Sequence, residues 1–211
     1  MTIQSNRPKY YNRGNYDIIV LKGASMDIFD KAIVFATKAH SDSSRKGTTT
    51  PYIVHPMEAS AIVATITNDR TILAAAVLHD VVEDTDYTID DIMKEFGKDV
   101  ARLVSAESED KRDNLPSEAT WKIRKQETLD HLKDKATKEE KMITLGDKLS
   151  NIRAMHRDYL EIGDELWNRF NQKDKSEHAW YYKSIAELLS DLSDTSAYQE
   201  YVELVNKVFG E

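Results

Sequence analysis

The stretch AAAVLHDVVED, residues 74–84, joins an apolar run to one imidazole and three carboxylates. The apolar residues predict a buried helix, on which His79 and Glu83 are four positions apart, as are Asp80 and Asp84. Side chains four apart share one face of a helix, so these polar groups should lie within reach of one another. Such a cluster inside a core is unfavourable by on the order of several kcal/mol unless something compensates for it. A divalent metal ion is the usual compensation, and the stretch therefore predicts a metal site.

Length and composition exclude several classes of protein. A chain of 211 residues that is 40% hydrophobic suits one domain with a sizeable core. It has no apolar run of membrane-spanning length and no signal-peptide pattern, which predicts a cytoplasmic protein without a membrane partner. Because cysteine is absent, any metal must be bound by histidine, carboxylate or water. The net charge of −8 argues against a nucleic-acid polymer as partner but leaves room for a small anion in a local basic pocket.

Helical periodicity runs through most of the sequence and predicts an all-α fold. We expect an irregular N-terminal arm over residues 1–25 and a single domain over 26–211. Thr88 and Thr137 each precede an acidic residue by three positions, the pattern of a capping box that begins a helix. Helices are predicted at about 28–40, 56–66, 70–83, 89–105, 117–133, 138–154, 160–169, 177–192 and 196–209.

Two further segments can complete the metal site. His55 precedes Pro56, which suits the first position of a helix. Asp147 lies in a predicted helix, with Asn151 one turn later on the same face. Gly146 in the middle of that helix is less favourable than Ala by roughly 1 kcal/mol, which suggests the close approach of another backbone or a ligand. Two imidazoles and two carboxylates would suit an ion of the Mn, Fe, Zn or Mg type.

Taken singly, each of these residues has an ordinary explanation, such as a helix cap or a solvated helix face. In chain order, however, His55, the His79-Asp80 pair and Asp147 resemble the H…HD…D signature of HD-domain phosphohydrolases. Residues 45–46, 51–56, 78–85 and 146–153 resemble the hydrolase domain of RelA/SpoT-type alarmone enzymes, and the similarity runs from about residue 28 to 192. The resemblance implies an HD-domain helical bundle. With no nucleotidyltransferase-like domain after it, the chain resembles a stand-alone small alarmone hydrolase of the metazoan-SpoT-homologue type.

The resemblance also implies an activity and its site. The family reaction removes the 3′-pyrophosphate from guanosine tetra- or pentaphosphate, (p)ppGpp, in the stringent response, and gives GDP or GTP and pyrophosphate. Glu83 and Asp84 would orient the attacking water and transfer its proton. One divalent ion, Mn²⁺ with Zn²⁺ or Fe²⁺ as alternatives, would be held by the remaining motif residues: His55, His79, Asp80 and Asp147.

Substrate-binding residues follow from the same resemblance. They are Arg45, Lys46, Lys111, Asn151, Arg153 and Tyr181. Ordinary alternatives are a solvated basic loop for the Arg-Lys pairs, an acid partner for Arg153, and core packing for the aromatic segment around Tyr181. The expected partner is a nucleotide alarmone, and the expected state is a monomer or small homo-oligomer.

One departure from the family pattern leaves the substrate open. Four residues, Gly47 to Thr50, separate Arg45-Lys46 from Pro51, where long family members usually have three, often Ser-Gly-Glu. An adenosine alarmone, (p)ppApp, is therefore an alternative substrate. Two other hypotheses are an HD-type phosphatase of another nucleotide, such as NADPH, and a non-catalytic alarmone-binding module.

Overall fold

The computed structural model describes residues 26–110, 112 and 114–210, so the predicted arm (1–25) and Lys111 lie outside the described residues. Within these residues the fold is all-α, as predicted, apart from one isolated bridge between Ser44 and Pro51. Its α-helices are α1 (Ile28–Ala39), α2 (Val54–Val63), α3 (Arg70–Leu78), α4 (Val81–Asp84), α5 (Ile89–Phe96), α6 (Lys98–Glu107), α7 (Ser117–Asp134), α8 (Lys138–Ile162), α9 (Lys175–Leu188) and α10 (Ser196–Phe209). Two 3-10 helices, Gly163–Arg169 and Ser190–Leu192, follow α8 and α9.

Two of the predicted helices are interrupted, so those boundaries were wrong. The predicted helix 70–83 ends at Leu78, and a new helix begins at Val81 after Asp80 takes φ −91° and ψ −5°. The predicted helix 89–105 is divided at Gly97, whose φ of +85° is in the left-handed region that favours glycine. Both predicted capping boxes, at Thr88 and Thr137, are confirmed.

Helix α8 is longer than predicted. It continues past residue 154 to Ile162, because Met155, Tyr159 and Ile162 extend the helical spacing of apolar residues. It ends at Gly163, with φ +58°. The segment predicted as a separate helix over 160–169 is therefore the end of α8 followed by the first 3-10 helix.

In the described part of the chain the core consists of two apolar clusters, and α2 and α8 contribute residues to both. One cluster packs α1, α3, α5 and α6 together, and the other packs α8 with α9, α10 and the first 3-10 helix. Gly146 lies where α2 and α8 meet: a Cβ on it would be 2.7 Å from the carbonyl oxygen of Ala59. The predicted close approach of a backbone to Gly146 is thus confirmed, and it brings the helix of His55 next to the helix of Asp147. No helix of the described part is long and apolar enough to cross a membrane.

Candidate active site

The predicted metal ligands converge at the junction of α2, α8 and the turn between α3 and α4. His55 Nε2 lies 3.3 Å from Asp80 Oδ2 and 3.2 Å from Asp147 Oδ1. His79 Nε2 lies 3.1 Å and 3.7 Å from the same two oxygen atoms. Consecutive residues of a regular helix point about 100° apart, so the turn at 79–80 allows both side chains to face one centre. The break in the predicted helix is therefore part of the site.

Hydrogen bonds orient both imidazoles toward this centre. His79 Nδ1 lies 2.7 Å from the carbonyl oxygen of Ala76, which can only accept, so Nδ1 carries the proton. Ser150 Oγ donates to Glu58 (2.8 Å) and accepts from His55 Nδ1 (2.9 Å). The Nε2 lone pair of each ring is thereby directed at the two carboxylates. His79 Nε2 is buried and, in the part of the chain that the structure describes, makes no hydrogen bond despite its proximity to Asp80. A histidine that binds a metal through one ring nitrogen is usually oriented by a hydrogen bond from its other ring nitrogen.

The carboxylates are oriented in the same way. Asp80 Oδ2 accepts a hydrogen bond from the Tyr52 hydroxyl (2.7 Å). Asp147 Oδ1 accepts from Asn151 Nδ2 (2.5 Å), and Oδ2 is paired with Lys148 Nζ (2.5 Å). These contacts leave each carboxylate with an oxygen near both histidines.

The electrostatics of the cluster require a positive charge at its centre. Burial alone would raise the pKa of Asp80, but the imidazoles of His79 and His55 hold it well below its usual value. Burial would likewise lower the pKa of His79, yet Asp80 and Asp147 raise it to about 10. Either a proton or a divalent cation can supply this charge. Two imidazole nitrogens and two carboxylates form a donor set that fits a first-row divalent ion, and of these residues His55, His79 and Asp80 each offer one ligand atom within 4.8 Å of the others.

The predicted catalytic acids lie on α4, directly after Asp80. Burial, together with the charges of Asp80, Glu109 and Asp84, raises the pKa of Glu83 to about 7. A carboxyl group that exchanges its proton near neutral pH is suited to general acid–base catalysis. The Tyr52 hydroxyl faces both Asp80 and Asp84, whose charges add to burial in raising its pKa.

A cavity of about 530 Å³ opens beside His55, within the usual size range of small-molecule sites. It contains three of the predicted substrate-binding residues. Arg45 donates to Asn151 Oδ1 (2.7 Å), and Lys46 donates to Asn171 Oδ1 (3.0 Å). The structure thus brings Arg45, Lys46 and Asn151 to one cavity, and Asn151 connects this cavity with the metal cluster by donating to Asp147.

Two other predicted substrate residues lie elsewhere. Arg153 donates to Glu200 through two nitrogens (2.6 and 2.7 Å) and to Glu58 (3.0 Å), the acid pairing considered as its alternative role. Tyr181 is 3% exposed and does not line the cavity beside His55. Its ring centroid lies 5.1 Å from Lys125 Nζ and 5.8 Å from Lys148 Nζ, and its buried hydroxyl has no hydrogen-bond partner among the described residues. Substrate binding by these two residues stays a prediction.

Several residues that support the site were not predicted. Ser150, Glu58, Tyr52 and Lys148 orient the cluster, and all four lie within or beside the quoted motif segments. The first 3-10 helix also contributes to the cavity wall, through Leu166, Arg169 and Phe170 at its end. That contribution has no local sequence signal, because it depends on where α8 ends.

Comparison with known proteins identifies the family. The HD-domain family matches residues 32–173. The chain belongs to the HD-domain family. Human MESH1, named guanosine-3′,5′-bis(diphosphate) 3′-pyrophosphohydrolase, is 37% identical over 131 residues, which cover 60% of this chain and 69% of MESH1. A probable GTP pyrophosphokinase of Mycobacterium leprae is 33% identical over 134 residues, and the chain spans 16% of its length.

A solved structure extends the similarity to most of this HD-domain protein. The structure is that of a metazoan orthologue of SpoT that hydrolyses ppGpp and plays a role in starvation responses. It matches with a TM-score of 0.68 at 26% identity and covers 87% of this chain and 96% of its own. The resemblance to MESH1-type and SpoT-type HD domains is thereby confirmed, as is the expected HD-domain helical bundle.

Proposed function

We propose that this HD-domain protein is a metal-dependent 3′-pyrophosphohydrolase of guanosine tetra- and pentaphosphate, and that residues 26–211 form its single hydrolase domain. The observation that carries this proposal is the junction of two features at His55. On one side, its Nε2 faces His79, Asp80 and Asp147. On the other side lies a nucleotide-sized cavity bordered by Arg45. The names of MESH1 and the SpoT orthologue support the same activity.

The metal ligands and the two acids of α4 have separate roles in the proposed reaction. A divalent ion held by His55, His79, Asp80 and Asp147 would polarise the phosphoryl group and increase the acidity of the attacking water. Glu83 accepts a proton from that water, whose oxygen forms a bond to the phosphorus on the 3′ oxygen. The bond between that phosphorus and the 3′ oxygen breaks, and Asp84 relays a proton to the 3′ oxygen. The products are a 3′ hydroxyl and pyrophosphate.

The identity of the ion is a further part of the proposal. We propose Mn²⁺, because a mixed set of imidazole and carboxylate ligands suits it and needs no thiolate. Zn²⁺ and Fe²⁺ are the alternatives with the same donor set. A cytoplasmic location and a monomer or small homo-oligomer belong to the same proposal.

A second candidate substrate is an adenosine alarmone. Thr48 and Thr50, from the loop with one more residue than the long family members have, line the cavity beside Arg45. The loop is held by the bond from Arg45 N to Thr50 O (2.8 Å), so its threonines lie beside the nucleotide pocket. A base contact there would set the choice between guanine and adenine.

Product analysis tests the proposal. The protein is incubated with guanosine and adenosine alarmones, and separately with NADPH, in the presence of Mn²⁺, and the products are separated by chromatography. We expect pyrophosphate and GDP from ppGpp, and none from an Asp80→Ala variant. Orthophosphate without pyrophosphate would instead identify a phosphatase, and binding without any product would identify an alarmone-binding module.

A further inference from the structure

One wall of the cavity beside His55 is formed by a single face of α8. Asn151, Met155 and Asp158 line the cavity from this face, and Asp147 lies one turn before Asn151 on the same face, at the metal cluster. A rise of 1.5 Å per residue places Asp158 about 16 Å along the helix axis from Asp147. The face therefore runs from the metal cluster, past the Arg45–Asn151 pair, to a second polar end at Asp158.

The far end of the cavity carries its own cations. Arg169, from the end of the 3-10 helix, donates to Asp158 (2.9 Å), and Arg157 Nε lies 3.7 Å from the same carboxylate. Together with Arg45 and Lys46, they line the same cavity in a chain whose net charge is −8. Three acids, Glu58, Asp158 and Glu161, line the cavity as well, so its cations exceed its acids by one. At the far end both arginines share the carboxylate of Asp158, which leaves that end with a net positive charge among these three side chains.

Arg169 is held in place from two sides. Asp158 binds one Nη on one side, and on the other the aliphatic stem covers Gly47, where a Cβ would lie 2.8 Å from Arg169 Cδ. Gly47 has φ +74°, so both its conformation and its lack of a side chain favour glycine. A guanidinium has five N–H donors, and among the described residues Asp158 is the hydrogen-bond acceptor of this one. With its side chain 30% exposed, Arg169 retains donors for a ligand in the cavity.

We infer that Arg169, positioned by Asp158 and Gly47, binds the phosphate on the 5′ side of the substrate and determines its specificity. This inference rests on the proposed function, in which the 3′-pyrophosphate occupies the metal end of the cavity. The ribose and base then lie beside Asn151, Met155 and Phe170, and the 5′ phosphate reaches the guanidinium. The site thus selects a nucleotide that is phosphorylated on both sides of its ribose.

The test compares two substrates that differ at the 5′ carbon alone. They are guanosine 5′-diphosphate 3′-diphosphate and guanosine 3′-diphosphate with a free 5′ hydroxyl. We measure kcat/KM for both with the wild-type protein, Arg169→Ala and Arg169→Lys. Arg70→Ala serves as the matched control, because Arg70 is exposed, pairs with Asp27 and does not line the cavity.

We expect Arg169→Ala to lower kcat/KM for the 5′-phosphorylated substrate by about 10- to 100-fold, the usual effect of losing a charge-assisted hydrogen bond. The loss should come mainly from a higher KM, and the 5′-hydroxyl substrate should change by less than about twofold. Arg169→Lys should fall between wild type and Arg169→Ala, because it keeps the charge but not the fork of donors. The ratio between substrates is taken within each variant, so partial unfolding would not alter it.

Equal losses on the two substrates, or no loss on the 5′-phosphorylated one, would overturn the role of Arg169. That result leaves the proposed hydrolase activity standing, since the wild-type protein would still release pyrophosphate. A wild-type protein that hydrolyses neither substrate would overturn the proposed function, and this inference with it.

Discussion

At the residue scale, the orientation of His79 decides what the cluster can bind. Its Nδ1 is fixed by Ala76, so loss of the imidazole removes a ligand that no neighbouring side chain replaces. We expect His79→Ala to lose bound Mn²⁺ and activity while helical content is retained, since the ring lies in a turn between helices. Elemental analysis and circular dichroism measure the two effects. His156→Ala, on α8 outside the site, is the matched control, and full activity of metal-stripped wild-type protein would contradict the assignment.

Glu83 gives a prediction on pH. Its pKa is raised to about 7, and a bound divalent ion would lower it toward the ordinary value of 4.5. A general base must be deprotonated, so kcat/KM should fall as the pH decreases between about 7 and 4.5. Glu83→Gln should retain metal, lose about 10²- to 10⁴-fold in rate, and lose this acidic limb of the pH profile. An unchanged rate would show that Asp84 or the metal site acts without Glu83.

At the scale of elements, the close contact between α2 and α8 joins two parts of the metal cluster. A Cβ on Gly146 would lie 2.7 Å from both Ala59 O and Val63 Cγ2. We expect Gly146→Ala to separate the helices and lower the free energy of unfolding by about 1–3 kcal/mol, despite alanine's better helix propensity. Mn²⁺ affinity should fall as His55 moves from Asp147. Denaturant unfolding measures the stability, and metal titration measures the Mn²⁺ affinity. Ser105→Ala, on the exposed side of α6, is the control. An unchanged Mn²⁺ affinity would contradict the coupling between helix packing and metal binding.

The helices also show which parts of the fold can be predicted from the sequence. Periodicity and capping patterns predict most helices, because each depends on neighbours within a few residues. The break at His79-Asp80 was not predicted, since both the apolar residues and the charged ones are compatible with a continuous helix. Likewise, the motif identified the four residues of the metal cluster. The position of Arg169 in the cavity wall, however, depends on the length of α8 and on packing against Gly47. Such contacts between distant segments leave no local pattern.

At the scale of the whole molecule, the net charge repels an anionic substrate, whereas the cations of the cavity attract it. The net charge of −8 repels an anionic nucleotide, so binding depends on the cations that line the cavity. Arg45 borders the cavity and pairs with Asn151, whereas the metal cluster lies on the other side of His55. We therefore expect Arg45→Ala to raise KM with little change in kcat, the behaviour of an interaction made equally in the ground and transition states.

Salt provides the decisive measurement for this prediction. At about 0.15 M ionic strength the Debye length is about 8 Å, so added salt weakens the partly exposed phosphate contact of Arg45. The ratio of KM between Arg45→Ala and wild type should therefore shrink as salt rises. Lys133→Ala, an exposed cation on α7 outside the cavity, changes the net charge equally and should leave KM unchanged at every salt concentration. If both variants raised KM alike, the overall charge of the molecule, and not the position of Arg45, would control binding.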